Sequence, residues 1–161
     1  NRDLRSSWPG SVIASRVDAV LEDGKIESDE REHLLMVLKD IAGMDFEDTG
    51  TATAEPVTIP IDDQVNVEIK GKSFVLTGQF AFGTRGACEA AVVQAGGACL
   101  GSVTKKLDVL VIGSMATRDW ANASYGRKIE TAARLKANGA SISIISEQRW
   151  VAAIEAANKH Q

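Results

Sequence analysis

The 161-residue chain is 44% hydrophobic and 25% charged, the balance of a soluble globular protein with room for one ordinary domain or two small ones. No apolar run approaches the ~20 residues that span a bilayer, and the opening NRDLRSSWPG lacks the basic-then-apolar order of a secretory signal, so no membrane partner is expected. The net charge of −4 conceals a division: residues 1–63 carry 6 Lys and Arg against 15 Asp and Glu, a net −9, and residues 64–161 carry 12 against 7, a net +5. Only the second part has an electrostatic reason to approach nucleic acid.

In chain order, Ile13, Val17, Val20 and Leu21 recur at helical spacing from Ser11 until Gly24. A second helix is predicted from Ser28 or Asp29, either of which can cap it, through Leu34, Leu35, Val37, Leu38 and Ile41 to Gly43. Residues 1–44 therefore read as a small all-α helical hairpin whose two apolar faces need each other and the residues around Trp8. Residues 45–64, with Thr, Ala, acidic residues and Pro56 and Pro60 in no sustained period, read as a linker. Lacking an initial Met, the chain is expected to be a piece of something longer.

From residue 65 to 161 the pattern becomes that of an α/β domain. Strands are predicted at Ser73–Thr77, Cys99–Ser102, Val109–Ile112 and Ile142–Ile145, and helices at Gly83–Ala95, Arg127–Asn138 and Glu147–Ala157. Short aliphatic strands between amphipathic helices imply a mostly parallel sheet covered on both faces. Gly96-Gly97 and Asn138-Gly139 supply the turns that end two of the helices. Cys88 and Cys99 lack CxxC spacing and lie far from His33 and His160, so both read as buried free thiols.

Ligands of open parallel sheets gather beyond the carboxyl ends of the strands, where backbone N–H groups and helix N-termini face outward. Thr77 and Gly78 stand at that end of the first strand. Thr77 offers a hydroxyl, Gly78 a backbone with no Cβ in the way, and Arg85 a planar fork of donors, a set suited to phosphate. A second cation is expected from Lys128, near the start of the helix YGRKIETAARL.

Taken together, IKGKSFVLTGQF, Gly96-Gly97, SVTKKLDVLVIG, GRKIETA and IISEQRW with its core Trp150 resemble the BRCT domain over roughly residues 68–156. The match is narrower still to the subtype found in bacterial NAD-dependent DNA ligases and in the large subunit of replication factor C. That resemblance implies a four-stranded parallel sheet flanked by three helices. It also implies that Thr77, Gly78, Arg85 and Lys128 bind the 5′-phosphate of a DNA end, in a replication or repair protein of the bacterial cytoplasm, at the nucleoid. The chain departs from the subtype at Thr131, where a second Lys is common, and in a longer loop from Gly113 to Gly126 that carries Trp120. Lys105, Lys106 and Arg127 are expected to touch the DNA backbone without reading sequence. Trp120 and Tyr125 could stack on a base or anchor their own loop.

No catalytic residues, metal site or cofactor are expected, because the sequence holds no nucleophile–base arrangement, paired-carboxylate pocket or Gly-rich nucleotide loop. In LEDGKIESDE, a calcium loop aligned on Gly24 would put Ala19 and Leu21 at positions that need oxygen donors, and Leu21 stands where a ligase's nucleophilic lysine would be. The alternative to DNA-end binding is a protein-interaction module, phospho-dependent or not. Phosphopeptide recognition in the family commonly uses two packed copies of the domain, and this chain has one.

Overall fold

The computed structural model describes Trp8 and residues 10–23, 28–43, 61–114 and 124–159. The linker reading of 45–60 and Trp120 lie outside these residues, and Tyr125 is described by its backbone alone. The acidic part forms α1 (Gly10–Asp23) and α2 (Ser28–Gly43). The basic part runs β1 (Ser73–Thr77), α3 (Arg85–Gln94), β2 (Ala98–Cys99), β3 (Val109–Ile112), α4 (Ser124–Ala137), β4 (Ser143–Ser146) and α5 (Glu147–Lys159). No helix among the described residues is long and apolar enough to cross a membrane.

All four strands are parallel, in the order β2-β1-β3-β4. Alternation along the strands divides the core into two layers, since successive side chains of a strand point to opposite faces. Phe74, Leu76, Val109, Val111 and Ile145 pack with Cys88 and Val92 of α3 and with Trp150, Val151 and Ile154 of α5. Val75, Leu110 and Ile144 face the other way, against Ile129 and Ala132 of α4 and against Leu107 and Ile142. The α/β architecture is the one expected. β2 is shorter than expected and is paired with the start of β1, through Ser73↔Ala98 and Phe74↔Cys99.

Trp150 is fully buried and lies edge-on to Phe80 and Phe82, with ring centroids 5.9 and 5.0 Å away. Trp8 and Val12, from the acidic part, pack against this same α3/α5 layer, so Trp8 covers the α/β core as well as accompanying α1. Asp62 and Asp63, inside the stretch read as linker, hold the outer edge of β4. The Asp62 N–H donates to the Ile144 carbonyl at 2.6 Å, the Ile144 N–H returns to Asp62 Oδ2 at 2.8 Å, and the Ser146 N–H donates to Asp63 Oδ1 at 3.0 Å. An edge strand presents unpaired backbone groups, and these two aspartates satisfy part of that row.

Candidate functional site

The chain leaves β1, crosses through α3 to β2 on one side, and then returns to β3 on the other. Between the carboxyl ends of β1 and β3 the connections therefore diverge, which opens the crevice where ligands of such sheets sit. Gly78 is the first residue beyond β1, and its φ of +85° is a left-handed conformation that would cost a residue with a Cβ about 1–2 kcal/mol. Beyond β3, Gly113 meets the backbone of the Gln79 segment so closely that an added Cβ would overlap the Gln79 carbonyl group. The Gly113 N–H also donates to the Thr77 carbonyl at 2.9 Å, so the two loops that rim the crevice are fastened backbone to backbone.

Arg85 is the first residue of α3, behind a Thr84 cap whose hydroxyl accepts from the Ala87 N–H at 3.3 Å. A cation at a helix N-terminus opposes the helix dipole. Its guanidinium instead turns back over the end of β1, donating from Nη1 to the Leu76 carbonyl at 2.7 Å and from Nη2 to the Gly78 carbonyl at 3.2 Å. These bonds use two of the five N–H donors and fix the plane of the fork. Lys128, half-buried in the second turn of α4, is its cationic neighbour: burial first, then repulsion by Arg85, holds the Lys128 ammonium below the ordinary lysine value, with Glu89 acting the other way. Two cations whose charges repel one another gain from an anion that both can reach.

The structure brings Gly78, Arg85 and Lys128 to one rim, with Arg127 exposed on the same turn as Lys128. Thr77 lies beneath them and is buried, 1% exposed, so of the four residues matched to the phosphate pocket it is the least accessible from solvent. Lys105 and Lys106 are not at this rim. The Lys106 carbonyl accepts from Ser73 Oγ at 3.0 Å, at the start of β1, which places the two lysines at the opposite edge of the sheet. Five residues of strand at about 3.3 Å each separate the edges by roughly 15 Å.

A scan against models of known protein families finds no match for the chain. Among curated proteins it is similar to the DNA ligase of Bartonella quintana, 29% identical over 143 residues that make up 89% of this chain and 16% of that protein. It is also similar to the DNA ligases of Neisseria gonorrhoeae, 38% identical over 85 residues (53% of this chain, 9% of that protein), and of Rhodopirellula baltica, 39% identical over 62 residues (38% and 9%). The chain thus spans less than a fifth of the length of these relatives.

Sequence reasoning missed Glu147. This first residue of α5 is fully buried, and its carboxylate joins the two loops of the crevice. Oε1 accepts from the Phe82 N–H at 2.7 Å, while Oε2 accepts from the Ser114 N–H at 2.8 Å and from the Ser114 hydroxyl. A Glu in the first turn of a helix reads as an ordinary partner of the helix dipole. The available signal was its place immediately after a buried strand, at the edge where both loops end. Among the described residues no group of three or more His, Cys, Asp or Glu could hold a metal ion. Neither Cys88 nor Cys99 forms a disulfide; Cys88 is buried as expected, but Cys99 is only half-buried.

Proposed function

We propose that this chain carries a BRCT-type, non-catalytic module that holds the 5′-phosphate of a DNA end for a DNA-processing protein. The observation that carries this reading is the Arg85 fork at the switch point between β1 and β3, held in place by the Leu76 and Gly78 carbonyls, with Lys128 near enough for the two charges to repel. In this reading the remaining Arg85 donors and the Lys128 ammonium grip the phosphate oxygens, the open backbone at Gly78 lets them approach, and Thr77 forms the floor. A terminal phosphate monoester carries close to two negative charges at neutral pH, against one for a bridging phosphodiester, and so matches two converging cations. Similarity to segments of three DNA ligases supports a DNA-processing context.

Binding of duplexes that differ only in carrying a 5′-phosphate or a 5′-hydroxyl tests the reading. A preference of tenfold or more for the phosphate, lost in Lys128→Glu, is expected. Equal binding of the two would remove the pocket. Competition by phosphopeptides at concentrations that leave 5′-phosphorylated DNA bound would move the assignment to the protein-interaction reading.

A further inference from the structure

Exposed charge beyond this rim is unevenly divided between the two layers of the sheet. On the α3/α5 layer, α3 beyond Arg85 exposes Glu89 and Val93, and α5 exposes Gln148 and Glu155. The one guanidinium in the first turns of α5, that of Arg149, is occupied by the Val65 carbonyl at 3.1 and 3.0 Å. Among the described residues, a phosphate backbone leaving on that side passes these carboxylates and the partly engaged Arg149 before it reaches the exposed Lys70, just ahead of β1 and beside Gly96, and Lys159, in the last turn of α5.

The α4 layer differs. Arg127 and Arg134, seven residues apart, fall on one exposed stripe of α4, about 10 Å apart along its axis. Between them lie the exposed Glu130, one carboxylate against the two guanidinium groups, and Thr131, its hydroxyl turned onto the Arg127 carbonyl at 2.7 Å. The segment from Gly101 to Leu107 returns along this same layer, with Leu107 in its core cluster and Val103 packed against it, as is Leu135 of α4. It delivers the exposed Lys105 and Lys106 to the far edge. There Lys72 is paired with Asp108 at 3.1 Å, which leaves Lys105 and Lys106 as the better-placed cations.

We infer that a duplex held by its 5′-phosphate at Arg85 and Lys128 runs down the α4 layer, its backbone passing Arg127 and Arg134 and reaching Lys105 and Lys106 at the opposite sheet edge. This rests on the 5′-phosphate reading and adds the direction, the length and the residues of the duplex contact. At 3.4 Å of rise per base pair, the ~15 Å between the two edges corresponds to about four or five base pairs. Only the phosphates are contacted, so the track is indifferent to sequence.

The test combines Lys105→Glu, Lys106→Glu and Arg134→Glu in the full chain and measures binding to a 5′-phosphorylated duplex of about 20 base pairs and to a hairpin of about 4. On the long duplex the expected result is a loss of tenfold or more and a salt slope shallower by about three, with the preference for 5′-phosphate over 5′-hydroxyl retained. The short hairpin reaches Arg134 but stops short of Lys105 and Lys106, so there the loss should be clearly smaller than on the long duplex. The corresponding triple Ala variant should lie between, and Lys159→Glu, on the other layer, should match the unchanged protein. An unchanged affinity and slope on the long duplex, or an equal loss from Lys159→Glu, would overturn the track. If the unchanged protein shows no 5′-phosphate preference, the pocket fails by itself and the slope on the long duplex still decides the track.

Discussion

Replacing Glu147 by Ala should damage the protein at two levels, and the size of each can be worked from the bonds it makes. The substitution orphans the N–H groups of Phe82 and Ser114, each of which donates to the carboxylate. An unsatisfied buried donor costs about 1–3 kcal/mol, and because Phe82 and Ser114 are half-buried the lower part of that range applies, about 2–4 kcal/mol for the pair. For a domain of this size such a loss lowers Tm by about 10–25 °C. Glu147→Gln should cost about half as much: one amide oxygen can still accept from one N–H, while the amide NH2 must face the other. Thermal and urea unfolding give the stability change, and 5′-phosphate affinity measured well below the lowered Tm gives the second effect, a weakening of about tenfold as the two loops lose their fixed spacing. A Glu147→Ala protein within 3 °C or so of the parent, with unchanged affinity, would refute the role assigned to this carboxylate.

Arg85→Ala should weaken binding of a 5′-phosphorylated end by about 1.5–3 kcal/mol, and Arg85→Lys should recover little of it, because an ammonium cannot hold the Leu76 and Gly78 carbonyls and the phosphate together. Gly113→Ala should destabilise by about 1–3 kcal/mol, read by urea titration, since its Cβ meets backbone that cannot step aside. Stability should fall in acid. Burial works to raise the Asp62 pKa, but the hydrogen bond and charge of Lys136 and the Ile144 N–H together hold it below 3.8; the Ser73 N–H first, then the Ser73 hydroxyl and Lys72, hold Asp108 below the same value against its burial. Both carboxylates are thus depressed on folding, so their contribution is present above about pH 4 and is lost as pH drops through their lowered values. Asp62→Asn and Asp108→Asn should each flatten that acid limb. Lys128 has the opposite sense: its charged form is disfavoured on folding, so it opposes stability until pH rises through its lowered pKa, and 5′-phosphate affinity should fall over that same rise, earlier than an ordinary lysine would dictate.

Much of the fold was legible because each strand is a short run of aliphatic residues with a distinct neighbour. The bounds of Ser73–Thr77 and Val109–Ile112 follow directly from such runs, and Trp150, large and apolar between polar residues, could only face inward. Arg85 and Lys128 were legible because sheet topology alone puts the residues after β1 and at the start of α4 on one edge. What escaped depends on the return path of the chain. Lys105-Lys106 lies at the far edge because the segment after β2 must come back to the start of β3 before that strand begins. Asp62 and Asp63 sit in a stretch with the composition of a linker, yet they hold β4 through bonds to residues about 80 positions away, which no local pattern announces. Glu147 is hidden for the same reason, its partners at Phe82 and Ser114 being distant in sequence.

The central claim is that Arg85 and Lys128 act as one receptor for a terminal phosphate. A double-mutant cycle with Arg85→Ala and Lys128→Ala, read as the difference in affinity between 5′-phosphorylated and 5′-hydroxyl duplexes, tests it most directly. The account predicts that either single substitution removes most of the tenfold preference and that the second adds little. Two additive effects, or a preference that survives the double variant, would contradict it.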